Sequence, residues 1–271
     1  MIRHQQAGVS LLNVLAVLAV GTGLVHVMLR DQDVALERLA QYSDLAQARA
    51  LALGGPTSVA VALRRDFDEA PQTDHPGEAW AWSAQDRIAL GSATYKVSIQ
   101  DVRGKFDLNA LQPAALVEQR VFAGLLSALN LPQALGQRIT QIVAQNGPLA
   151  APDSLLRFGM APGDVARLAP HVATVSTRGT LNLNTVSEPL LAALLRNGAA
   201  ARGLVGRRSA KGFLDNSDLA ALGIALPPLA GFTSDIFDVT TVSEVGEARA
   251  VIKRRLLRDP ETGTVQSVAL P

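Results

Sequence analysis

The chain has 271 residues, of which 48% are hydrophobic and 18% charged, a balance that excludes a disordered tail and allows one or two domains with packed cores. Twenty-five lysines and arginines nearly balance 24 aspartates and glutamates, so the bulk charge does not indicate nucleic acid or anionic lipid as the main partner. The absence of cysteine excludes disulfides, thiol nucleophiles and thiolate metal sites.

The N-terminal segment predicts a membrane-spanning helix. No charged residue occurs from Val9 to Leu29, and at about 1.5 Å per residue a helix of that length spans about 30 Å, the thickness of a bilayer's hydrocarbon core. Arg3 precedes the run, and Arg30 is followed by acidic residues. The positive-inside rule therefore predicts a cytoplasmic N-terminus, with the rest of the chain outside.

A cleaved secretory signal is the alternative interpretation of this run. Such signals have an apolar stretch of about 7–15 residues that ends near an Ala-x-Ala-like site. This run is longer, no clear site of that kind closes it, and an apolar stripe continues beyond it at helical spacing. We therefore predict one helix over residues 9–53, ended by the Gly-Gly-Pro sequence at 54–56. The stripe consists of Ala35, Leu39, Tyr42, Ala46 and Leu53.

The residues that precede the apolar run form a short polar leader. The leader ends at Gly8, and Val9 begins the run without a spacer. A leader of this kind in front of an apolar helix resembles the class III signal of type IV pilins and pseudopilins. The resemblance implies that residues 1–8 are removed by a prepilin peptidase that cuts after Gly8, and that the new amine of Val9 is methylated. Glycine suits such a site because it lets the backbone enter a protease cleft extended.

Asn13 departs from the pilin pattern. Most pilin-like subunits carry a glutamate at this place, four residues after the new N-terminus, where it neutralises the amine of a neighbouring subunit. A buried unpaired charge is costly, so the loss of the glutamate affects any subunit that has such a neighbour. The K-type minor subunit of type II secretion systems lacks this glutamate, in keeping with a place at the filament tip. A merely tolerated polar residue is the alternative interpretation of Asn13.

Four segments predict an antiparallel sheet. One alternates, with Tyr95, Val97 and Ile99 on one face and polar residues on the other. Three more segments lie near the C-terminus, and a turn in DPETG joins the last two. Because the residues between these strands have a mostly helical pattern, we predict an α+β fold with a pilin-like domain interrupted by an all-helical insertion. The pilin-like domain is discontinuous, over residues 54–103 and 233–271, and the insertion covers 104–232.

The insertion contains an internal repeat. GKFDLNAL from Gly104 matches GTLNLNTV from Gly179, and looser similarity between two helical segments follows. Asn109 and Asn184 occupy the same place in the two motifs, where strand-like sequence meets helical sequence. Because asparagine is suited to turns and helix caps, we predict a structural role for both.

The two units resemble helix-hairpin-helix modules, and these suggest a rival function. In DNA-uptake receptors such modules bind phosphates through the backbone amides of a Gly-hydrophobic-Gly hairpin. The matching segment here, LRNGAAARGLV, lacks the paired glycines. A basic patch of the size found nearby is more often a solvated helix face. A membrane-anchored DNA-binding protein of a DNA-uptake or type IV pilus system therefore remains the alternative. The patch consists of Arg202, Arg207, Arg208 and Lys211.

The order of these segments resembles the general secretion pathway protein K family, the K-type minor pseudopilins of type II secretion systems. The family has a pilin-like fold with a large helical insertion. The resemblance implies a single inner-membrane span, a periplasmic body, and a tip complex with I- and J-type minor pseudopilins that initiates or caps the pseudopilus. It implies no nucleic-acid partner.

The sequence contains no Gly-x-Ser-x-Gly, His-Glu-x-x-His, P-loop or Gly-x-Gly-x-x-Gly motif, so we predict a protein without enzymatic activity or cofactor. A structural calcium ion on two acidic pairs stays open, with helix capping and strand-edge charge as the alternative roles. Trp80 and Trp82 alternate like strand residues, which predicts that one is buried and the other exposed. The acidic pairs are Asp215 with Asp218, and Asp235 with Asp238.

Overall fold

The computed structural model describes residues 5–175 and 177–270, with side chains from residue 11 onward, so residues 1–4 of the predicted leader lie outside the described residues. The fold is α+β, as predicted. The helices are α1 (Gln5–Glu69), α2 (Ala79–Trp82), α3 (Leu116–Ala128), α4 (Ala134–Asn146), α5 (Pro162–Leu168), α6 (Glu188–Leu195), α7 (Gly198–Lys211) and α8 (Asn216–Ala220). The strands are β1 (Gln85–Leu90), β2 (Ala93–Asp101), β3 (Phe106–Asp107), β4 (Val172–Ala173), β5 (Leu181–Asn182), β6 (Ala230–Gly231), β7 (Ile236–Val245), β8 (Ala248–Arg258) and β9 (Val265–Ala269).

Helix α1 is longer than predicted. It does not end at residue 53 but continues through Gly54, Gly55 and Pro56 to Glu69. The reason is tertiary packing: at Gly55 a β-carbon would overlap the hydroxyl of Thr241 in β7, so glycine lets the helix approach the sheet closely. Burial of this part of the helix offsets the intrinsic cost of glycine and of the amide that proline lacks.

The face of α1 that packs on the sheet also differs from the predicted stripe. All five residues of that stripe are exposed. The buried side chains of α1 instead belong to a stripe that begins later in the chain and lies on β2, β7 and β8. Its members are Ala48, Ala52, Val59 and Leu63, each fully buried.

The sheet has five antiparallel strands in the order β1-β2-β7-β8-β9. The four predicted strands correspond to β2, β7, β8 and β9, and the sequence interpretation missed β1, although Gly91 marks its turn into β2. The residues around the two tryptophans form the short helix α2 rather than a strand. Trp80 is buried against Phe237 and Trp82 is 72% exposed, as expected.

The helical region lies between two neighbouring strands of this sheet. β2 and β7 pair from Ala93 opposite Val245 to Asp101 opposite Phe237, and the chain between them contains α3 to α8. It is helical apart from 3-10 turns and two short parallel strand pairs, β3 with β4 and β5 with β6. Each pair joins the start of one repeat unit to its end. The division into domains at residues 54, 104 and 233 stays a prediction.

Candidate functional site

The predicted processing and assembly residues lie at the beginning of α1. Gly8, Val9 and Asn13 are all within the helix, and the side chain of Asn13 is exposed. Val9 and Asn13 are four residues apart and therefore lie on the same face, one turn from each other. Every described side chain from residue 11 to residue 43 is exposed, so this part of α1 extends away from the folded body. Over the described residues, α1 is also the helix that is long and apolar enough to cross a membrane.

A buried polar cluster joins the sheet to the second repeat motif. Asp101, at the end of β2, accepts hydrogen bonds through Oδ2 from Asn182 Nδ2 (2.8 Å), Ser234 Oγ (2.6 Å) and Thr185 Oγ1 (2.5 Å). Its other oxygen accepts from the amide of Arg103 (2.8 Å). Burial raises the pKa of the Asp101 carboxyl, and these hydrogen bonds oppose the shift. One carboxylate thus connects β2, the second motif and the residues that lead into β7.

The two repeat motifs also pack against each other through their glycines. The buried Arg103, beside the first motif, forms a bidentate ion pair with the half-buried Asp235 (2.5 and 2.9 Å). A β-carbon at Gly179, in the second motif, would overlap this guanidinium. A β-carbon at Gly104, in the first motif, would lie 2.7 Å from Thr185 Oγ1 and 2.9 Å from its carbonyl oxygen. Both motifs begin with glycine because, at each of these positions, atoms from the other motif or from the residue beside it occupy the space that a β-carbon would need.

The asparagines of the motifs bridge distant backbone groups rather than cap a turn. Asn109 accepts from the amide of Leu149 (2.8 Å) and donates to the carbonyls of Leu149 and Val175. Asn184 accepts in the same way from the amide of Leu214 (2.6 Å). The structural role is confirmed, but the turns are capped by the residues two positions earlier, which the sequence interpretation missed. Those residues are Asp107 and Asn182.

A second buried cluster lies where the end of α1 meets β8. Arg258 donates to Asp74 Oδ1 (2.6 Å) and, at 3.4 Å, to Asp66. Glu78 accepts from the indole of Trp80 (2.8 Å) and contacts His75. The three carboxylates offer oxygens within 4.8 Å of one another, and Arg258 supplies the counter-charge to two of them. The pKa of Asp66 is raised to about 7, mainly by burial and secondarily by repulsion from the two nearby carboxylates.

Comparison with known proteins shows what this chain is similar to. No family model matches the chain. Type II secretion system protein K of Pseudomonas aeruginosa is 27% identical over 94% of this chain and 90% of its own length. The protein of the same name from Klebsiella pneumoniae is 32% identical over 40% of this chain and 33% of its own length. The chain is therefore similar to type II secretion system protein K along nearly its whole length.

A solved structure has a fold similar to that of this chain. The crystal structure of the GspK–GspI–GspJ complex from the type 2 secretion system of enterotoxigenic Escherichia coli contains a chain that matches with a TM-score of 0.63. The match covers 85% of this chain and 97% of that chain, at 18% identity. The likeness shows that the two chains share their overall fold.

The acidic pairs considered for calcium have partners within the protein. Lys211 bonds both Asp215 (2.7 Å) and Asp218 (2.8 Å), and this contact lowers the pKa of both carboxyls. Asp215 also caps α8 by accepting from the amides of the first turn. Asp235 pairs with an arginine, as described, and Asp238 pairs with another in β8. The geometry supports the capping and ion-pair roles that the sequence offered as the alternative.

The basic patch on which the DNA-binding alternative depended is largely engaged within the protein. Arg208 is partly buried and donates to the carbonyls of Leu183 and Val186 (2.8 and 2.9 Å). Arg207 pairs with Asp218, which also binds Lys211. These contacts hold α7 and α8 against the second motif. Together with the missing paired glycines, they leave the similarity to type II secretion system protein K as the better guide to function.

Proposed function

We propose that the chain is a minor pseudopilin that assembles with I- and J-type minor pseudopilins at the tip of a type II secretion pseudopilus. The observation that carries the proposal is the similarity to a type II secretion protein K over 94% of the chain. The fold match to a chain from the GspK–GspI–GspJ complex adds support, because it covers nearly all of that chain. The proposed role is structural, without catalysis and without a cofactor.

The exposed part of α1 supports assembly through helices. Beyond the apolar run at residues 9–29, four large apolar side chains remain exposed and make no contact with the body of the protein. Helices of neighbouring subunits would cover such side chains and bury apolar surface at about 25 cal/mol per Å². The four side chains are those of Val34, Leu36, Leu39 and Tyr42, between 46% and 72% exposed.

The helical insertion supports a place at the tip. It adds six helices between neighbouring strands β2 and β7, so the head is much larger than a sheet with its one helix. A head of that size would clash with the subunit above it inside a filament, whereas nothing lies above a tip subunit. The same proposal places the N-terminus in the cytoplasm, one span in the bacterial inner membrane and the head in the periplasm.

The N-terminal chemistry follows from this proposal and can be tested directly. Prepilin peptidase would cut between Gly8 and Val9 and methylate the new amine. The intact mass and N-terminal sequence of the protein, recovered from membranes with and without the peptidase, should show a chain that begins at Val9 only when the peptidase is present. Gly8→Val should abolish the cut, and the control Gly21→Val, in the exposed middle of the span, should not. A cut near Gly21, or no cut, would contradict the pilin-class assignment.

Asn13 provides a test of the tip position. A tip subunit has no neighbour above it whose amine a glutamate would neutralise, so a charge here would stay unpaired in an apolar surrounding. Asn13→Glu should therefore reduce recovery of the chain with its I- and J-type partners, while the uncharged control Asn13→Gln should not. Equal recovery of both variants would show that the residue has no part in assembly.

A further inference from the structure

The two free edges of the five-stranded sheet differ in how they are protected. β1 carries features that prevent another strand from pairing with it. Its register with β2 shifts between Gln85 and Ile88, and Arg87 has a positive φ of 53°. Its charged side chains form ion pairs with other strands of the sheet. Asp86 pairs with Lys96 of β2 at 2.7 Å, and Arg87 pairs with Glu244 of β7 at 3.2 Å. A bulge and charges of this kind are the usual means of blocking edge-to-edge pairing.

The opposite edge, β9, has none of these features over its described residues. It pairs with β8 in an unbroken register from Val265 opposite Arg258 to Ala269 opposite Arg254. The strand VQSVA contains no charge, proline or glycine. Residues 266–269 are all exposed, and Val268 is 41% exposed. A regular, neutral and exposed edge is a ready template for another strand.

The hydrogen bonds on either side of β9 show which of its backbone groups face outward. The amide of Asp259 donates to the carbonyl of Thr264, and the amide of Leu270 donates to the carbonyl of Lys253. In an antiparallel pair, bonded and non-bonded positions alternate. The even-numbered residues from 264 to 270 therefore bond to β8, while Ser267 and Ala269 direct their N–H and C=O groups toward the free edge.

The charges of β8, next to this edge, select the partner. Three of its arginines pair with acidic residues of the protein. Lys253 and Arg254 have no acidic partner among the residues that the structure describes, and because they are consecutive in a strand they lie on opposite faces of the sheet. A strand added beside β9 would have one of these cations near each of its faces. A second copy of this chain would instead bring its own Lys253 and Arg254 and repel them.

We propose that the free edge of β9 binds an extended, acidic segment of another protein by strand addition. The outward groups of Ser267 and Ala269 provide the main-chain hydrogen bonds, and Lys253 and Arg254 favour an acidic partner over a basic one. This inference uses only the sheet of this chain. It goes beyond assembly at the filament tip, and either proposal can fail while the other stands.

Ser267→Pro is the most selective test of strand addition. It would remove an outward N–H without removing a hydrogen bond to β8, and edge strands tolerate proline on their solvent side. The probe is a short fluorescent peptide of alternating valine and glutamate, and its counterpart has lysine for glutamate. Binding is measured by fluorescence anisotropy against the full chain in neutral detergent micelles. The matched control, Ser267→Ala, keeps the backbone donor.

We expect the acidic peptide to bind the wild type and Ser267→Ala with the same affinity. Its affinity for Ser267→Pro should be at least about tenfold lower. The double variant Lys253→Glu with Arg254→Glu should reverse the preference toward the lysine peptide. Hydrogen exchange on the unmodified chain gives a second measurement that needs no variant. The acidic peptide should slow exchange at the amides of Ser267 and Ala269.

Four outcomes would overturn the proposal. If neither peptide binds, or if Ser267→Pro remains folded and binds like the wild type, strand addition is wrong. If both peptides bind equally, the selection by charge is wrong. If sedimentation shows that the chain forms dimers that Ser267→Pro abolishes, the edge pairs with a second copy rather than with an acidic partner.

Discussion

The two repeat motifs share a pattern of glycine, leucine and asparagine positions but have different surroundings. In the first motif, Asp107 accepts through one oxygen from the amides of Asn109 and Val175, both within the insertion. In the second motif, Asn182 accepts from the amide of Asn184 and uses its Nδ2 to donate to three oxygens of the body. Asp107 and Asn182 thus both accept hydrogen bonds from backbone amides, but only Asn182 also donates.

This difference explains why an acid stands in one motif and an amide in the other. The second motif faces Asp101, a buried carboxylate that needs donors, and an amide can accept with one atom and donate with another, which an ionised carboxylate cannot do. The first motif faces backbone amides, for which a carboxylate is sufficient. The repeat therefore provides a common frame, and the residue that faces the neighbour is adapted to that neighbour.

The largest expected effect comes from exchanging the acid and the amide. Asn182→Asp would remove the donor to Asp101 and place two carboxylates together in a buried site. We expect a loss of about 3–5 kcal/mol in the free energy of unfolding. The reciprocal Asp107→Asn keeps the accepting oxygen and should cost about 1 kcal/mol or less. Denaturant unfolding measures both variants, and equal losses would refute the asymmetry.

The glycine of the second motif gives the next effect. Gly179→Ala would push a methyl group into the guanidinium of Arg103 and disturb its pair with Asp235. We expect a loss of about 2–4 kcal/mol. The control is Gly203→Ala, in the exposed interior of α7 with no atom in the way, which should stabilise by about 0.5–1 kcal/mol. If the two variants shift the thermal midpoint in the same direction, the proposed close contact is wrong.

Replacing the bridging asparagines by alanine should lower the free energy of unfolding by smaller and unequal amounts. Asn109→Ala breaks three hydrogen bonds, whereas Asn184→Ala breaks one and removes a buried Nδ2 that has no partner among the described residues. We expect losses of about 2–3 kcal/mol and about 1 kcal/mol, respectively. Urea unfolding of the two variants in parallel checks the order. A larger loss for Asn184→Ala would contradict it.

A separate effect concerns pH and involves the body, on which the second motif lies. Burial raises the pKa of Asp66 from 3.8 to about 7. Between about pH 4 and pH 7, the folded state therefore keeps a proton on Asp66 that the unfolded state releases. Stability from this group is fully present below pH 3.8 and is lost as the pH rises to 7. Thermal midpoints across this range should fall less in Asp66→Asn than in the wild type or in the exposed control Asp68→Asn.

Local pattern was sufficient to predict most of the sheet. β2 alternates, β7 is rich in β-branched residues, and the turn in DPETG follows β8 as expected. The repeat was also visible from its Gly, Leu and Asn positions. What such patterns cannot show is which distant group each residue meets. The contact of Gly104 with Thr185, and that of Gly179 with Arg103, join residues about 75–80 positions apart.

The errors have the same cause. Gly55 and Pro56 are strong local signals for the end of a helix, yet both lie within α1 because the close approach to Thr241 makes the small residue favourable there. The alternation of Trp80 and Trp82 was interpreted as a strand, and the hydrogen-bonded turn of α2 produces the same pattern of one buried and one exposed ring. Tertiary packing overrides local preference at both places.

The central claim is that this chain forms a tip complex with two other minor pseudopilins. The most direct measurement is native mass spectrometry after the full chain has been co-expressed with I- and J-type partners and prepilin peptidase and purified through a tag on the J-type subunit. The account predicts a complex with one copy of each subunit, in which this chain begins at Val9. A complex of the I- and J-type subunits without this chain, or a complex that contains many copies of it, would contradict the claim.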